Sequence, residues 1–169
     1  EALLRQVVTI AKKISNPGAE KISFDSALPY EINHVANAFR NLTKETKNAD
    51  NSLLIKLKDG TEIDFPDVDA QIEYYCMGLL EFAPTKRSEI NKGPYADGTI
   101  DKFERRIKSK IANTRLGFIF GEKAKNASLE DVLRQFTGYN AGGESNVTII
   151  DLSGIPFELL SITVSHISR

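Results

Sequence analysis

The sequence lacks most of the features that announce a chemistry. It has one cysteine, Cys76. That excludes an intramolecular disulfide framework and any zinc site built from several thiolates. A reducing compartment, the cytoplasm, is the matching expectation. No apolar run approaches the roughly 18 residues of a membrane-spanning helix, and no charged-then-apolar leader opens the chain, so neither membrane nor secretion is expected. Neither charge sign is in excess: 22 Lys+Arg stand against 23 Asp+Glu, a formal net charge of −1. No global field favours nucleic acid or an anionic surface, which leaves only local patches. An initiator Met is missing, and the last residue, Arg169, falls inside a helical pattern. An excerpt from a longer protein is therefore expected.

What is present is 169 residues, 41% of them apolar. A domain of this length buries roughly 68–70% of the surface of its unfolded chain, enough for one core. Residues 2–15 place Leu3, Leu4, Val7, Val8, Ala11 and Ile14 on one helical face, and Asn16-Pro17-Gly18 ends that helix. Lys21–Phe24 reads as a short strand. Pro29 opens a helix near 30–43 with Ile32, Val35, Ala36 and Phe39 inward. Residues 53–65 alternate as a hairpin. A three-residue loop, Lys58-Asp59-Gly60, pairs Ile55 with Ile63 and Leu53 with Phe65 and so buries one consistent face, with Gly60 left-handed.

Residues 67–82 suggest a helix with Val68, Ile72, Tyr75, Cys76, Leu79 and Leu80 as core positions, ended by Pro84. The polar stretch 84–98 reads as loop. Residues 99–113 form a helix on the stripe Ile100, Phe103, Ile107 and Ile111. Leu116–Phe120 reads as a buried strand, and Ser128 with Asp131 as the cap of a helix carrying Leu129, Val132, Leu133 and Phe136. Gly138 closes that helix, a Gly-rich loop 139–145 follows, and Val147–Ile150 reads as a second buried strand. Asp151–Gly154 turns the chain, and Pro156 starts a last helix through Phe157, Leu160, Val164 and Ile167. The order predicts a helix-rich α/β protein: a helical lobe with a β-hairpin over 1–115, then strand–helix–strand–helix over 116–169, a partial parallel sheet.

Few residues carry chemistry. Cys76 sits in an apolar stripe and reads as an inert thiol, and with His34 and His166 it makes a poor metal set. No G-x-S-x-G elbow occurs. The glycines of 138–143 lack the Lys-Ser or Lys-Thr and the following helix of a phosphate loop. Helix 99–113 carries Lys102, Arg105, Arg106, Lys108 and Lys110, with Arg115 just beyond, against Asp101 and Glu104. Such a face suits sequence-independent phosphate contact, or it is a solvated surface. Asp151 follows a strand, where a carboxylate orders a metal-bound water or a switch loop in open α/β sheets. It equally suits capping of the Ser153-Gly154 turn.

The string Val147-Thr148-Ile149-Ile150-Asp151-Leu152-Ser153-Gly154-Ile155-Pro156 and the run to Arg169 resemble a segment of HerA-type P-loop ATPases, hexameric DNA translocases of the FtsK/HerA group. The Leu116–Phe120 and Leu129–Phe136 elements resemble those that precede it there. Helix 2–15 and Leu28-Pro29-Tyr30 match in layout. The resemblance implies a RecA-like parallel sheet at 116–169 and a cytoplasmic parent that binds ATP and magnesium, hydrolyses ATP, moves along double-stranded DNA as a hexamer and often works with a nuclease. It places Asp151 and Ser153 near a nucleotide site. The family's phosphate loop and paired acidic strand are not found in these 169 residues, so the chain alone is expected to be inactive as an ATPase. The other expectation is a self-contained, non-catalytic protein-interaction domain.

Overall fold

The computed structural model describes residues 1–121, 126–128, 130, 131, 134 and 148–167. Contacts divide the chain into two units, Glu1–Ser109 and Lys110–Arg169.

The first unit packs three helices, and most of a fourth that starts at Asp101, beside a four-stranded antiparallel sheet. Helix α1 (Ala2–Ser15) buries Val7, Val8, Ile10 and Ala11. Helix α2 (Ile32–Lys44) buries Val35, Ala38, Phe39 and Leu42. Both follow the 3.6-residue apolar period read from the sequence. Lys12 is also buried. Its Nζ donates to the carbonyls of Phe24 and Ser26 at 2.5 and 2.6 Å and lies over the rings of Phe24 and Tyr30. This clamp holds the α1–α2 connection in turns, so the strand expected at Lys21–Phe24 does not form.

The sheet order is β3-β2-β1-β4, with β1 Thr46–Asn48, β2 Leu54–Lys56, β3 Glu62–Asp64 and β4 Ile90–Lys92. The hairpin register is the one expected: Ile55 pairs with Ile63, the Leu57 N–H donates to the Thr61 carbonyl across the three-residue loop, and Gly60 adopts φ +91°. Strands β1 and β4, by contrast, lie where no strand was read. Thr46 pairs with Lys92 and Asn48 with Ile90. Both are three-residue, mostly polar segments, and only their long-range pairing makes them strands.

Helix α3 (Val68–Met77) starts at Asp67, whose carboxylate accepts the Ala70 N–H at 2.8 Å. It ends at Gly78, well before the expected boundary at Pro84. The reason is Asn41 on α2. Its Nδ2 donates to the carbonyls of Tyr75 and Gly78, and its Oδ1 accepts the Leu80 N–H, which satisfies the backbone groups a helix end leaves open. Leu79 and Leu80 therefore leave the helix. Val68 and Leu79, read as core, are 49% and 66% exposed.

One buried polar cluster joins α3, β1 and the segment after β4. Glu45 is fully buried. Its Oε1 accepts from the Tyr75 hydroxyl at 2.7 Å and from Gln71 Nε2 at 3.0 Å, with Lys47 Nζ at 3.5 Å. Lys47 also donates to Gln71 Oε1. Glu45 Oε2 has no hydrogen-bond partner and lies against Gly93, where an added methyl would overlap it; the Gly93 N–H donates to the Glu45 carbonyl. Burial raises the Glu45 pKa above its ordinary 4.5, against the opposing pull of Tyr75 and Lys47. The Tyr75 hydroxyl is pushed upward as well, by burial and by Glu45.

The second unit corrects the strand reading. Asn113 Oδ1 accepts the Arg115 N–H and starts a 3₁₀ turn, Thr114–Leu116, which runs into a short helix α5, Gly117–Phe120. The expected buried strand Leu116–Phe120 is thus helical. A five-residue apolar run carries no period that separates the two outcomes. Thr148–Ile150 lie in neither strand nor helix and are exposed. The parallel RecA-like sheet is accordingly not formed among the described residues, whose strands all belong to the antiparallel sheet of the first unit. The cap read at Ser128 is present: its Oγ accepts the Asp131 N–H at 3.0 Å and donates to Asp131 Oδ2 at 2.6 Å. Leu129, Val132, Leu133, Phe136, Gly138, the Gly-rich loop 139–145 and Val147 lie outside the described residues. The last helix, α6 (Phe157–Ile167), follows Pro156 as expected.

Two outcomes follow from the Glu45 cluster. A carboxyl with a folded pKa above its unfolded value adds stability that is fully present below about pH 4.5 and is lost as pH rises through the folded value. Glu45→Gln removes that titration, so the difference in Tm between Glu45→Gln and the parent chain is expected to shift in the variant's favour between pH 4 and pH 8. A pH-independent difference in thermal melts would be inconsistent with it. Gly93→Ala forces a methyl onto the carboxylate and should cost about 1–3 kcal/mol in urea unfolding.

Candidate nucleic-acid interface

The basic helix forms as expected, as α4, Asp101–Ile111. Its entry is set by polar turns. Gly98 takes φ +92°, Asp97 Oδ1 accepts the Thr99 N–H at 2.8 Å, and Ile100 accepts the N–H groups of Phe103 and Glu104. The Asp97 carboxyl sits below its usual range because it accepts those Thr99 donors. Ile100, Phe103 and Ile107 pack against the core, and the Phe103 ring meets Phe39 edge-on with centroids 4.8 Å apart. That anchors α4 to α2 and fixes which side faces water.

Glu104 is the buried acid of the helix, 8% exposed, and its Oε1 receives Arg40 Nη1 from α2 at 3.1 Å. No local pattern marks this pair, whose members are 64 residues apart. Its effect is to turn one of the two acids of α4 away from solvent. Lys102, Arg105, Arg106, Lys108 and Lys110 are all exposed, and among the described residues none of them forms an ion pair. Arg105 Nε reaches only the Asp101 carbonyl, at 3.3 Å. Lys102, Arg106 and Lys110 follow at i, i+4 and i+8, a row of like charge roughly 12 Å long. Like-charged i,i+4 pairs cost an isolated helix about 0.2–0.5 kcal/mol each.

The other candidates resolve differently. Asp151 Oδ1 accepts the Ser153 N–H at 2.9 Å, and this bond holds the exposed carboxyl below its ordinary pKa. Asp151 and Ser153 thus form an Asx turn that leads into α6. Cys76 is fully buried, and burial, helped by the nearby Glu73, pushes its thiol up to about 12. It has the environment of an inert thiol. His34 lies 3.9 Å from Glu31 through Nε2, and its Nδ1 has no hydrogen-bond partner. Among the described residues no three His, Cys, Asp or Glu side chains are grouped as metal ligands, and no helix is long and apolar enough to cross a membrane. No known protein family matches this sequence, and no characterised protein matches it.

Removing Arg40 strands the Glu104 carboxylate in a mostly buried position. Arg40→Ala is expected to lower stability by about 1–2 kcal/mol, and adding Glu104→Ala should return part of it. Additive losses in chemical denaturation would show the two side chains to be uncoupled.

Proposed function

We propose that the chain is a non-catalytic lobe of an ATP-driven DNA translocase of the HerA type, and that α4 is the face it turns toward the phosphates of duplex DNA. The observation that carries the DNA contact is the set of five exposed cations on α4 that form no ion pair among the described residues, on a helix whose Glu104 is withdrawn and paired. Such a surface binds a polyanion by releasing its counterions, independently of base sequence. The link to a translocase rests on the residues 147–156 as a sequence. In this reading ATP, magnesium, hexameric assembly and a nuclease partner belong to the parent machine. The phosphate-gripping groups are contributed by segments other than these 169 residues.

The test is a fluorescence-anisotropy titration of a labelled 20-base-pair duplex at several salt concentrations. Five phosphate contacts predict a slope of log K against log salt of about −4.5. Arg105→Glu with Arg106→Glu should weaken binding at least tenfold and flatten the slope by about two. Unchanged affinity and slope would remove α4 from the interface. Tight Mg-ATP association by the same chain would overturn the non-catalytic assignment.

A further inference from the structure

The near-neutral total conceals a segregation of charge. From Asp59 to Thr85 the sequence has seven acidic residues and no basic one. Lys56 and Lys58 neutralise Glu62 and Glu81 from outside that stretch. The remaining five, Asp59, Asp64, Asp67, Asp69 and Glu73, form no ion pair among the described residues. Asp69 and Glu73 lie at i and i+4 on the exposed side of α3, and Met77 is the next residue in that row.

Exposed apolar side chains collect in the same place. The first unit exposes five large ones, and four of them, Val68, Tyr74, Met77 and Leu79, fall between 68 and 79. Met77 is 65% exposed and Leu79 66%, and apolar side chains grouped on a surface mark interaction sites. Tyr74 is braced by Phe65, with ring centroids 5.6 Å apart, so it presents a fixed face. Beyond Gly78, a cleft of about 420 Å³ opens between Leu57, Leu79 and Leu80, with Lys58, Asp59 and Glu81 on its rim. Its three leucines give an apolar side chain walls to pack against.

We propose that the exposed side of α3 and the adjoining Leu57–Leu79–Leu80 cleft dock a basic amphipathic helix of a partner protein. An apolar anchor of that helix enters the cleft, its apolar stripe covers Tyr74 and Met77, and its lysines or arginines face Asp59, Asp69 and Glu73. Charge complementarity selects this occupant. Unneutralised carboxylates repel phosphates, so the surface is no second site for nucleic acid. A second copy of this chain is also a poor fit. Its own basic helix, α4, turns Ile100, Phe103 and Ile107 into the core and has no apolar stripe left to offer. The inference does not depend on the DNA contact assigned to α4, which uses a different element and the opposite charge.

The experiment titrates the 169-residue chain into a fluorescein-labelled 18-residue Lys/Leu peptide with an amphipathic helical pattern, beside a scrambled peptide of the same composition. The patterned peptide should bind in the micromolar range, at least tenfold more tightly than the scrambled one. Met77→Ser with Leu79→Ser should weaken it at least tenfold, and Asp69→Lys with Glu73→Lys should weaken it and reduce its salt dependence. Both pairs are solvent-exposed, and thermal melts verify folding; Met77→Ser alone serves if the double variant melts early. Equal binding of the scrambled peptide, or affinities unmoved by either pair, would overturn the proposal. Sedimentation showing a dimer that Met77→Ser with Leu79→Ser dissolves would overturn it too, by making the occupant a second copy.

Discussion

Taking the Glu45 carboxylate out of water creates the central constraint of the first unit. An ionised carboxyl in an apolar interior is costly unless charge partners and donors surround it. Here Tyr75 and Gln71 from α3 and Lys47 from β1 all converge on one oxygen, while the other is sealed by Gly93. Tyr75 and Gln71 stand one helical turn apart on α3, while Lys47 is two residues from Glu45 itself. Satisfying them together sets the distance of α3 from the sheet and the path of the chain after β4. That path delivers Gly98 and the start of α4, so the orientation of the basic helix is tied to a carboxyl group far from it in sequence.

A second pattern is the use of polar side chains as boundaries. Asn41 ends α3, Lys12 ties down the α1–α2 connection, and Asn113 converts the end of α4 into a 3₁₀ turn. In each case the side chain satisfies backbone groups that would otherwise be left without partners. The Asn41 contacts have the largest surface consequence. By stopping α3 at Met77 they expel Leu79 from a helical core position and open the cleft beside Leu57. The Arg40–Glu104 pair acts on charge in the same way, withdrawing an acid from a face that then shows cations. Two oppositely charged surfaces, one acidic and apolar, one basic, thus arise on a chain whose net charge is close to zero.

Much of this architecture is legible without coordinates. The amphipathic periods of α1, α2 and α4 stand in the sequence because each helix buries one stripe and wets the other, and the period alone says which residues point inward. The hairpin register follows from the same logic at period two, since a slip by one residue would have exposed Ile55. The five cations of α4 and the Asp151-Ser153 turn are local features and were visible as such, as was the Ser128 cap.

Other properties depend on a partner distant in sequence. Strands β1 and β4 are mostly polar and three residues long, and only the pairing of β4 with β1, and of β1 with β2, makes them strands. Leu116–Phe120 and Thr148–Ile150 are apolar enough for a buried strand, yet strand formation needs a neighbour's backbone, and composition does not supply one. The true end of α3, the burial of Glu104 and the burial of Glu45 each turn on side chains more than 25 residues away in sequence. Local periodicity determined the helices and the hairpin, because those hydrogen bonds close within a few residues; long-range hydrogen bonds chose the sheet, the boundaries and the exposed face.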